Sequence, residues 1–301
     1  MRLLQLIQLY FYVCERYEEE LQWHCMRFTK NQAEPAFTDQ ELLTTYLFGV
    51  AYERRFTIKE VYDYTRNHRL DCFPSLPSYS AYNNRLNRLA SVFTVLAQQL
   101  SEEYRASHSE QELMCLTDSM PIITCSSKRK GRVAREICDK GYNSLKKMHF
   151  YGVKLHGIGF HRSGKLPVME MLLVGPASEH DLRAQYQLLA QMKKRVILGD
   201  KAFHDKSLRA VLAKKQTEVL TPVRYNKYQP LEDRQRHKAA DELFSKNIAS
   251  LRQPIESFFN WLIEHTDIQR AAKVRSTKGL IIHIFGKIAA AFIRLNQICC
   301  S

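Results

Sequence analysis

The sequence predicts an α/β protein in which a mixed β-sheet follows an all-helical N-terminal region. Helix-capping patterns occupy the first hundred residues, and short apolar runs typical of strands follow them. Later apolar runs alternate with segments of helical spacing. We therefore expect a helical region at residues 1–110 and an α/β domain at residues 111–301.

The composition indicates a globular chain with an excess of positive charge. Hydrophobic residues make up 45% of the 301 residues, and 45 Lys and Arg against 31 Asp and Glu give a formal net charge of +14. The hydrophobic content argues against a disordered chain. The charge favours a polyanionic partner, most often nucleic acid. A solvated surface without such a partner is the alternative.

Neither the cysteines nor the apolar segments point to an extracellular or membrane protein. The eight cysteines are scattered without a C-x-x-C pair, so they indicate neither a zinc ribbon nor a disulfide framework. The longest candidate membrane span, residues 279–298, contains His283, Lys287 and Arg294 and is a poor spanning segment. We expect a cytoplasmic protein without a membrane partner.

Capping boxes mark two helices in the N-terminal region, Thr38-Asp-Gln-Glu41 and Thr57-Ile-Lys-Glu60. A loop with two prolines separates the second helix from a longer one predicted at 78–100. The front of this longer helix carries side chains that can bond base edges and phosphates, namely Asn84, Arg85, Asn87 and Arg88. The pattern resembles a helix-turn-helix unit with a long turn and predicts a DNA-binding region. A helical cap with a solvated polar face is the alternative.

Strands and helices alternate after residue 112. The predicted strands are 113–118, 148–160, 166–174, 196–198 and 218–223, and the predicted helices between them are 178–192 and 206–214. A Ser-Gly dipeptide at 163–164 predicts a hairpin. Three antiparallel strands followed by alternating helices and strands are the order of a ribonuclease-H-like fold with a mixed sheet.

Basic segments interrupt this α/β pattern at two places. An irregular insert after the first strand contains Lys128, Arg129 and Lys130, and the polar stretch 224–252 shows no clear element and is predicted to be a loop. We expect both segments to contact phosphates. A helix with apolar residues at helical spacing follows from residue 255, and a last helix is predicted at 279–298.

Three carboxylates stand where this fold would bring them together. Asp118 ends the first strand, Asp200 follows the buried run Val196–Leu198 and Gly199, and Glu256 lies on a later helix. Ligands bind outside the carboxyl ends of strands in open α/β sheets, and Mg²⁺ prefers oxygen ligands. We predict that these carboxylates hold two divalent ions for in-line displacement at phosphorus. Singly, the first two could be turn or loop residues, and Glu256 could favour a helix N-terminus.

Four segments carry a resemblance to a known family: Thr117-Asp-Ser-Met-Pro-Ile122, Phe150-Tyr-Gly-Val-Lys-Leu-His156, Gly199-Asp-Lys-Ala-Phe203 and Ile255-Glu-Ser-Phe-Phe-Asn-Trp-Leu262. Nearly the whole chain resembles the DDE transposases of bacterial insertion sequences, most closely the insertion-sequence nine-eight-two family. The resemblance implies a ribonuclease-H-like catalytic domain with Asp118, Asp200 and Glu256 as ligands of Mg²⁺, or of Mn²⁺ as a substitute. It implies cutting at terminal inverted repeats and joining of the 3′ hydroxyl to target DNA. Pairing of two element ends implies a homodimer.

The chain departs from the Tyr, Arg, Glu, Lys signature that related transposases carry around the glutamate. Arg252 fits the arginine, whereas Ala249 and Ile263 stand in place of the tyrosine and the lysine. Lys273 or Arg275 could supply the missing phosphate contact. Two alternative functions are a nuclease of the same fold that does not join strands and a DNA-binding regulator with a decayed catalytic domain.

Overall fold

The computed structural model describes residues 2–25, 35–108, 113–126, 128, 132–143, 147–224 and 230–298, and it omits the side chains of residues 233, 234 and 236. The chain divides into two compact units. Unit 1 comprises residues 1–107, 130–136 and 262–301, and unit 2 comprises residues 108–129 and 137–261.

Unit 1 is built from helices. They are α1 (Arg2–Arg16), α2 (Gln22–His24), α3 (Asp39–Ala51), α4 (Ile58–His68), α5 (Tyr79–Arg88), α6 (Ala90–Ala106), α10 (Thr277–Ile281) and α11 (Lys287–Leu295), with π-helical turns at Tyr17–Leu21 and Ile282–Gly286. Both predicted capping boxes form, since Thr38 and Thr57 each accept a hydrogen bond from the backbone N–H of the glutamate three residues later. These bonds satisfy donors that the first turn of a helix leaves free.

The single helix predicted at 78–100 is wrong, because the structure has two helices there. Leu89 leaves the helical conformation with φ −87° and ψ 17°, and it separates α5 from α6. Neither glycine nor proline marks this break, so the helical spacing of the sequence continues through it. Leu89 is buried, and its backbone N–H still bonds the carbonyls of Arg85 and Leu86 at the end of α5.

The C-terminal residues pack with the N-terminal helices. Helix α11 contacts α3 and α6, and it buries Ile288, Phe292 and Ile293 completely or nearly so. The sequence-based division had assigned these residues to the α/β domain, but they form part of the core of unit 1.

Unit 2 contains the mixed sheet that the sequence predicts. Its strands are β1 (Met114–Ser126), β2 (Asp139–Asn143), β3 (Met148–Phe160), β4 (Val168–Pro176), β5 (Val196–Leu198) and β6 (Glu218–Leu220). The order across the sheet is β2-β3-β1-β5-β6, and β4 also pairs with β3. Pairs among β1 to β4 are antiparallel, whereas β1–β5 and β5–β6 are parallel.

Strand β1 is longer than predicted and runs through Pro121. The parallel pairing with β5 covers only Met114–Leu116, so the described part of β1 beyond Leu116 pairs with β3 alone. Proline has no N–H to donate and is tolerated where one side of a strand has no partner. Strand β2 was not predicted, because residues 139–143 were interpreted as the end of an irregular insert.

Three helices accompany the sheet: α7 (Asp181–Leu189), α8 (Lys206–Ala213) and α9 (Leu231–Thr266). Helix α7 begins later than the predicted position 178, since Ser178 bonds Asp139 and the N-cap of α7 is His180. The loop predicted at 224–252 is also wrong, because α9 begins at Leu231. Before Pro254 most described side chains of α9 are exposed, so this part has little apolar periodicity to reveal a helix.

None of the helices, as far as the chain is described, is both long enough and apolar enough to cross a bilayer.

Candidate active site

Asp118 lies in β1 two residues after the last pair with β5. Its side chain is 25% exposed, and its Oδ1 accepts a hydrogen bond from the Ser119 backbone N–H at 2.9 Å. The residue opposite it on β3 is Gly157. Directly opposed residues of antiparallel strands project from the same face, so Gly157 leaves the space beside Asp118 without a side chain.

Helix α9 uses this space. A Cβ atom added to Gly157 would lie 2.9 Å from Cζ of Phe259, so the aromatic ring of α9 rests against the bare backbone of β3. Phe259 and Ile255 are buried on this helix, whereas Glu256 is exposed. Glu256 is therefore presented from the helix that covers the Asp118 face of the sheet.

Arg252 is the basic side chain of this site. It is 7% exposed, and its Nη2 lies 3.5 Å from Asp118 Oδ2. Its Nε–H is buried and has no acceptor among the described residues. The guanidinium thus partly neutralises Asp118 from a fixed, desolvated position.

Asp200 follows β5 and Gly199, as predicted, and begins a short 3₁₀ turn (Lys201–Phe203). Its Oδ1 accepts the Ala202 backbone N–H at 2.8 Å. A Cβ atom at Gly199 would lie 2.7 Å from Cβ of Phe203, so glycine is required for the chain to turn this tightly. The turn leaves the carboxylate of Asp200 half-buried at the end of the strand.

Asp118 is affected by both other carboxylates. Its pKa rises from 3.8 to about 6, because burial and the negative charges of Glu256 and Asp200 together outweigh the opposing effects of Arg252 and the Ser119 N–H. Among the described residues Arg252 alone forms an ion pair with Asp118, and it does not offset the effects that raise the pKa of this carboxylate. This imbalance fits the binding of a divalent cation, for which Asp118, Asp200 and Glu256 supply oxygen ligands. Across the described residues, however, no three His, Cys, Asp or Glu side chains already stand in a metal-binding cluster.

The predicted DNA-reading residues of α5 have different surroundings. Asn84 and Arg88 are exposed, whereas Asn87 donates from Nδ2 to the Asn83 carbonyl at 2.7 Å. Arg85 already has an acidic partner, and its contact with DNA stays a prediction. Its Nη2 lies 2.6 Å from Asp39 Oδ1, and its side chain is only 16% exposed, because it holds α5 to the start of α3.

The other residues predicted to contact phosphates do not all belong to one unit. Lys128 is exposed in unit 2, and Arg129 and Lys130 lie outside the described residues. Lys273 and Arg275 are exposed in unit 1, and Arg275 donates to the carbonyls of Ala272 and Val274. Neither of them belongs to the unit that carries the carboxylates.

A group of basic residues beside Asp200 was not predicted from the sequence. His204, Lys206 and Arg209 follow it, and Arg224 follows β6. Strands β5 and β6 are parallel neighbours, so residues after their carboxyl ends lie at one edge of the sheet. Basic residues behind two consecutive apolar runs are the sequence signal that could have revealed this group.

A family model described as "Transposase DDE domain" matches residues 110–293 of the chain. The match covers well over half of the 301 residues and includes Asp118, Asp200, Arg252 and Glu256. No curated protein and no solved structure matches the sequence.

Proposed function

Because the chain belongs to the transposase DDE domain family, we propose that it cuts DNA at the terminal inverted repeats of an insertion sequence and joins the freed 3′ ends to target DNA. The observation that carries this proposal is the set of charged groups around Asp118. The Arg252 guanidinium lies 3.5 Å from its Oδ2. Burial raises the pKa of Asp118, and the charges of Glu256 and Asp200, which come from distant segments of the chain, raise it as well.

Each residue of the site has a part in the proposed reaction. Divalent ions bound by the three carboxylates would supply an activated hydroxyl and stabilise the leaving oxygen. Arg252 holds the Asp118 carboxylate in one orientation through the 3.5 Å contact. The Ala202 N–H fixes Asp200, and the packing of Phe259 on Gly157 sets the position of the helix that carries Glu256.

The sheet order supports a ribonuclease-H-like assignment for unit 2. The antiparallel strands β4, β3 and β1 lead into the parallel strands β5 and β6. The amino-acid sequence predicts the same order, in which antiparallel strands precede parallel ones. Asp118 lies on the central strand β1, and Asp200 follows β5, the parallel neighbour of β1.

The partner in this proposal is double-stranded DNA, both at the element ends and at the target. The formal charge of +14 suits a polyanion, and Asn84 and Arg88 are the exposed polar side chains on the front of α5. Two element ends must be held together for joining, so the active species in this proposal is a homodimer in the bacterial cytoplasm.

Cleavage and joining of a labelled duplex that carries the element's own inverted repeat test the proposal. With Mg²⁺ or Mn²⁺, the variants Asp118→Asn, Asp200→Asn and Glu256→Gln should each lose cleavage by several orders of magnitude but retain DNA affinity, since affinity comes from Lys and Arg. Glu242→Gln is the matched control, because Glu242 is an exposed carboxylate on the same helix as Glu256. This variant should cleave as the wild type does.

Two outcomes would contradict the proposal. Near-normal cleavage by Glu256→Gln would show that Glu256 is not one of the catalytic carboxylates. Cleavage by the wild type without any joined product, at any ratio of target DNA, would identify a nuclease rather than a transposase.

A further inference from the structure

A basic cluster borders the edge of the sheet at which Asp200 lies. We use this name for His204, Arg209 and Arg224, which come from three separate segments. His204 follows the turn that Asp200 begins, Arg209 lies in α8, and Arg224 follows β6. The register of β5 and β6, with Leu198 opposite Leu220, brings the carboxyl ends of both strands to one level.

Neutral groups hold Arg209 in this cluster. Its Nη2 lies 3.2 Å from Thr221 Oγ1 and 3.4 Å from His204 Nδ1. Thr221 Oγ1 is also 3.4 Å from His204 Nδ1, so the three polar groups form a closed triangle. The Nε–H of Arg209 is buried and finds no acceptor within the described chain. Arg209 is therefore held by neutral groups, which leave its positive charge uncompensated.

The positive charge of the cluster is not balanced nearby. No carboxylate of the described residues forms an ion pair with Arg209, Arg224 or Lys206. Burial lowers the pKa of His204, and the charges of Arg209, Arg224 and Lys206 lower it further against the opposing effect of Asp205. Asp205 itself caps α8 by accepting the Leu208 N–H at 2.7 Å.

We propose that the basic cluster binds a phosphodiester group of the DNA strand that enters the carboxylate site. The inference rests on the proposed function. It supplies a phosphate contact in a chain that has Ala249 and Ile263 where the glutamate signature has a tyrosine and a lysine. A positioned guanidinium without a carboxylate partner, an imidazole that gains a proton beside an anion and a second, exposed arginine together suit a phosphate. The chemical class of the ligand is thus a phosphodiester anion held next to the reacting one.

The distance along the chain agrees with this role. His204 is four residues after Asp200, so their Cα atoms lie within about 14 Å even for an extended chain. One DNA strand carries a phosphate about every 3.4 Å along the helix axis. The cluster therefore reaches a phosphate within about four nucleotides of the one at the carboxylates.

DNA binding without metal provides the test, because chelation separates affinity from cleavage. We would measure the affinity of the full chain for a duplex bearing the inverted repeat, with EDTA, across a range of salt concentrations. Arg209→Gln and Arg224→Gln should each weaken binding roughly eightfold at 0.1 M salt and reduce the log–log salt slope by about 0.9. Lys165→Gln is the matched control, since it removes one exposed positive charge in the β3–β4 turn, at the opposite edge of the sheet.

The pKa of His204, followed by NMR, is the second readout. It should rise when the duplex binds, because a phosphate beside the ring stabilises the imidazolium. Inorganic phosphate at the same ionic strength should leave it nearly unchanged. An equal rise with inorganic phosphate would assign the cluster to a free anion and overturn the DNA assignment.

Arg224→Gln keeps the inference testable if Arg209→Gln fails to fold, since the exposed Arg224 has no contact with Thr221 among those described. If Arg224→Gln keeps the wild-type salt dependence of DNA affinity and the His204 pKa does not change on DNA binding, the inference is overturned, while the proposed reaction is unaffected. If Arg224→Gln lowers the salt dependence but the wild-type protein never cleaves DNA, the phosphate contact stands and the proposed reaction is overturned.

Discussion

The contact between Arg252 and Asp118 shows how single residues set the charge of the site. Arg252 is almost fully buried, and at 3.5 Å its guanidinium forms the one ion pair that Asp118 has among the described residues. It does not restore an ordinary acidity, because burial and two neighbouring carboxylates outweigh it and leave the pKa near 6. A second positive charge at this place would therefore lower the free energy of the folded protein.

We expect this pKa to appear as a pH-dependent stability. The folded protein holds a proton at Asp118 between about pH 4 and pH 6 that the unfolded chain releases, so this contribution is present below pH 4 and is lost as pH rises through 6. A rise from 3.8 to about 6 corresponds to roughly 3 kcal/mol. With EDTA, the Tm of the wild type minus that of Asp118→Asn should therefore fall between pH 4 and pH 7.

The comparison between the two proteins isolates Asp118. Arg252 stays charged throughout this range, so its attraction to ionised Asp118 is already part of the pKa of Asp118. The exchange of a protonated carboxyl group for the neutral amide of Asn adds only an offset that does not change with pH. Mg²⁺ at pH 7 should raise the Tm of the wild type more than that of the variant, since a ligand that binds the folded state stabilises it. A Tm difference that stays constant from pH 4 to pH 7 would contradict the raised pKa.

Among the elements, strand β3 and helix α9 depend on each other at Gly157. A methyl group there would lie 2.9 Å from both Met169 Cε and Phe259 Cζ. The flexible methionine side chain can move aside, whereas Phe259 is a rigid, buried ring. The absence of a side chain at Gly157 is therefore what allows α9 to lie close to Asp118.

We expect Gly157→Ala to lower both the thermal stability of the protein and its rate of DNA cleavage, and to lower the rate by more. Overpacking of this kind costs about 1–3 kcal/mol, and the displaced helix would carry Glu256 away from the other carboxylates. Thermal unfolding should show a lower Tm, and cleavage should fall by more than the loss of folded protein explains. The double variant Gly157→Ala/Phe259→Leu should recover part of the Tm. Recovery of neither Tm nor cleavage would show that Phe259 is not the obstacle.

Local signals in the sequence were sufficient for some elements. The boxes at Thr38 and Thr57 form as predicted, because their hydrogen bonds involve residues three positions apart. The hairpin between β3 and β4 forms as well, with Gly164 at φ +68°. The apolar run ending at Gly199 predicted the place of Asp200, since a buried strand must bring its next residue to the sheet edge.

Other elements depended on tertiary contacts that no local pattern carries. The first part of α9 is mostly exposed and polar, so its helix was interpreted as a loop. Arg85 looked free to read bases, yet Asp39, far away in the sequence, pairs with it. The basic cluster arises only when β5 and β6 pair. In each case the deciding neighbour is remote in the sequence, and spacing rules describe only near neighbours.

In the whole molecule, the two ends of the chain build one helical unit. Residues 262–301 pack with residues 1–107, and the large side chains Ile288, Phe292 and Ile293 of α11 are 3%, 1% and 0% exposed. Burial of three such side chains contributes roughly 5–9 kcal/mol. That is comparable to the entire stability of about 5–15 kcal/mol of a typical domain.

A fragment of residues 1–110 should therefore not fold alone. We expect low helicity and no cooperative thermal transition in circular dichroism, and recovery of both when a peptide of residues 262–301 is added. The peptide with Phe292→Ala is the matched control, because loss of a buried aromatic ring costs about 3–5 kcal/mol. It should need a much higher concentration to restore the transition. A cooperative transition in the 1–110 fragment alone would show that α11 is dispensable for this unit.

The restored pair of fragments also allows DNA recognition to be measured apart from the carboxylate site. If α5 reads bases through Asn84 and Arg88, the pair should prefer the inverted repeat over a scrambled duplex. A good side-chain–base pair contributes about 1–3 kcal/mol of discrimination. Asn84→Ala/Arg88→Ala should remove that preference, whereas Arg85→Ala should lower the Tm of the pair, because it breaks the contact with Asp39. Equal affinity of the folded pair for both duplexes would assign recognition to the rest of the chain.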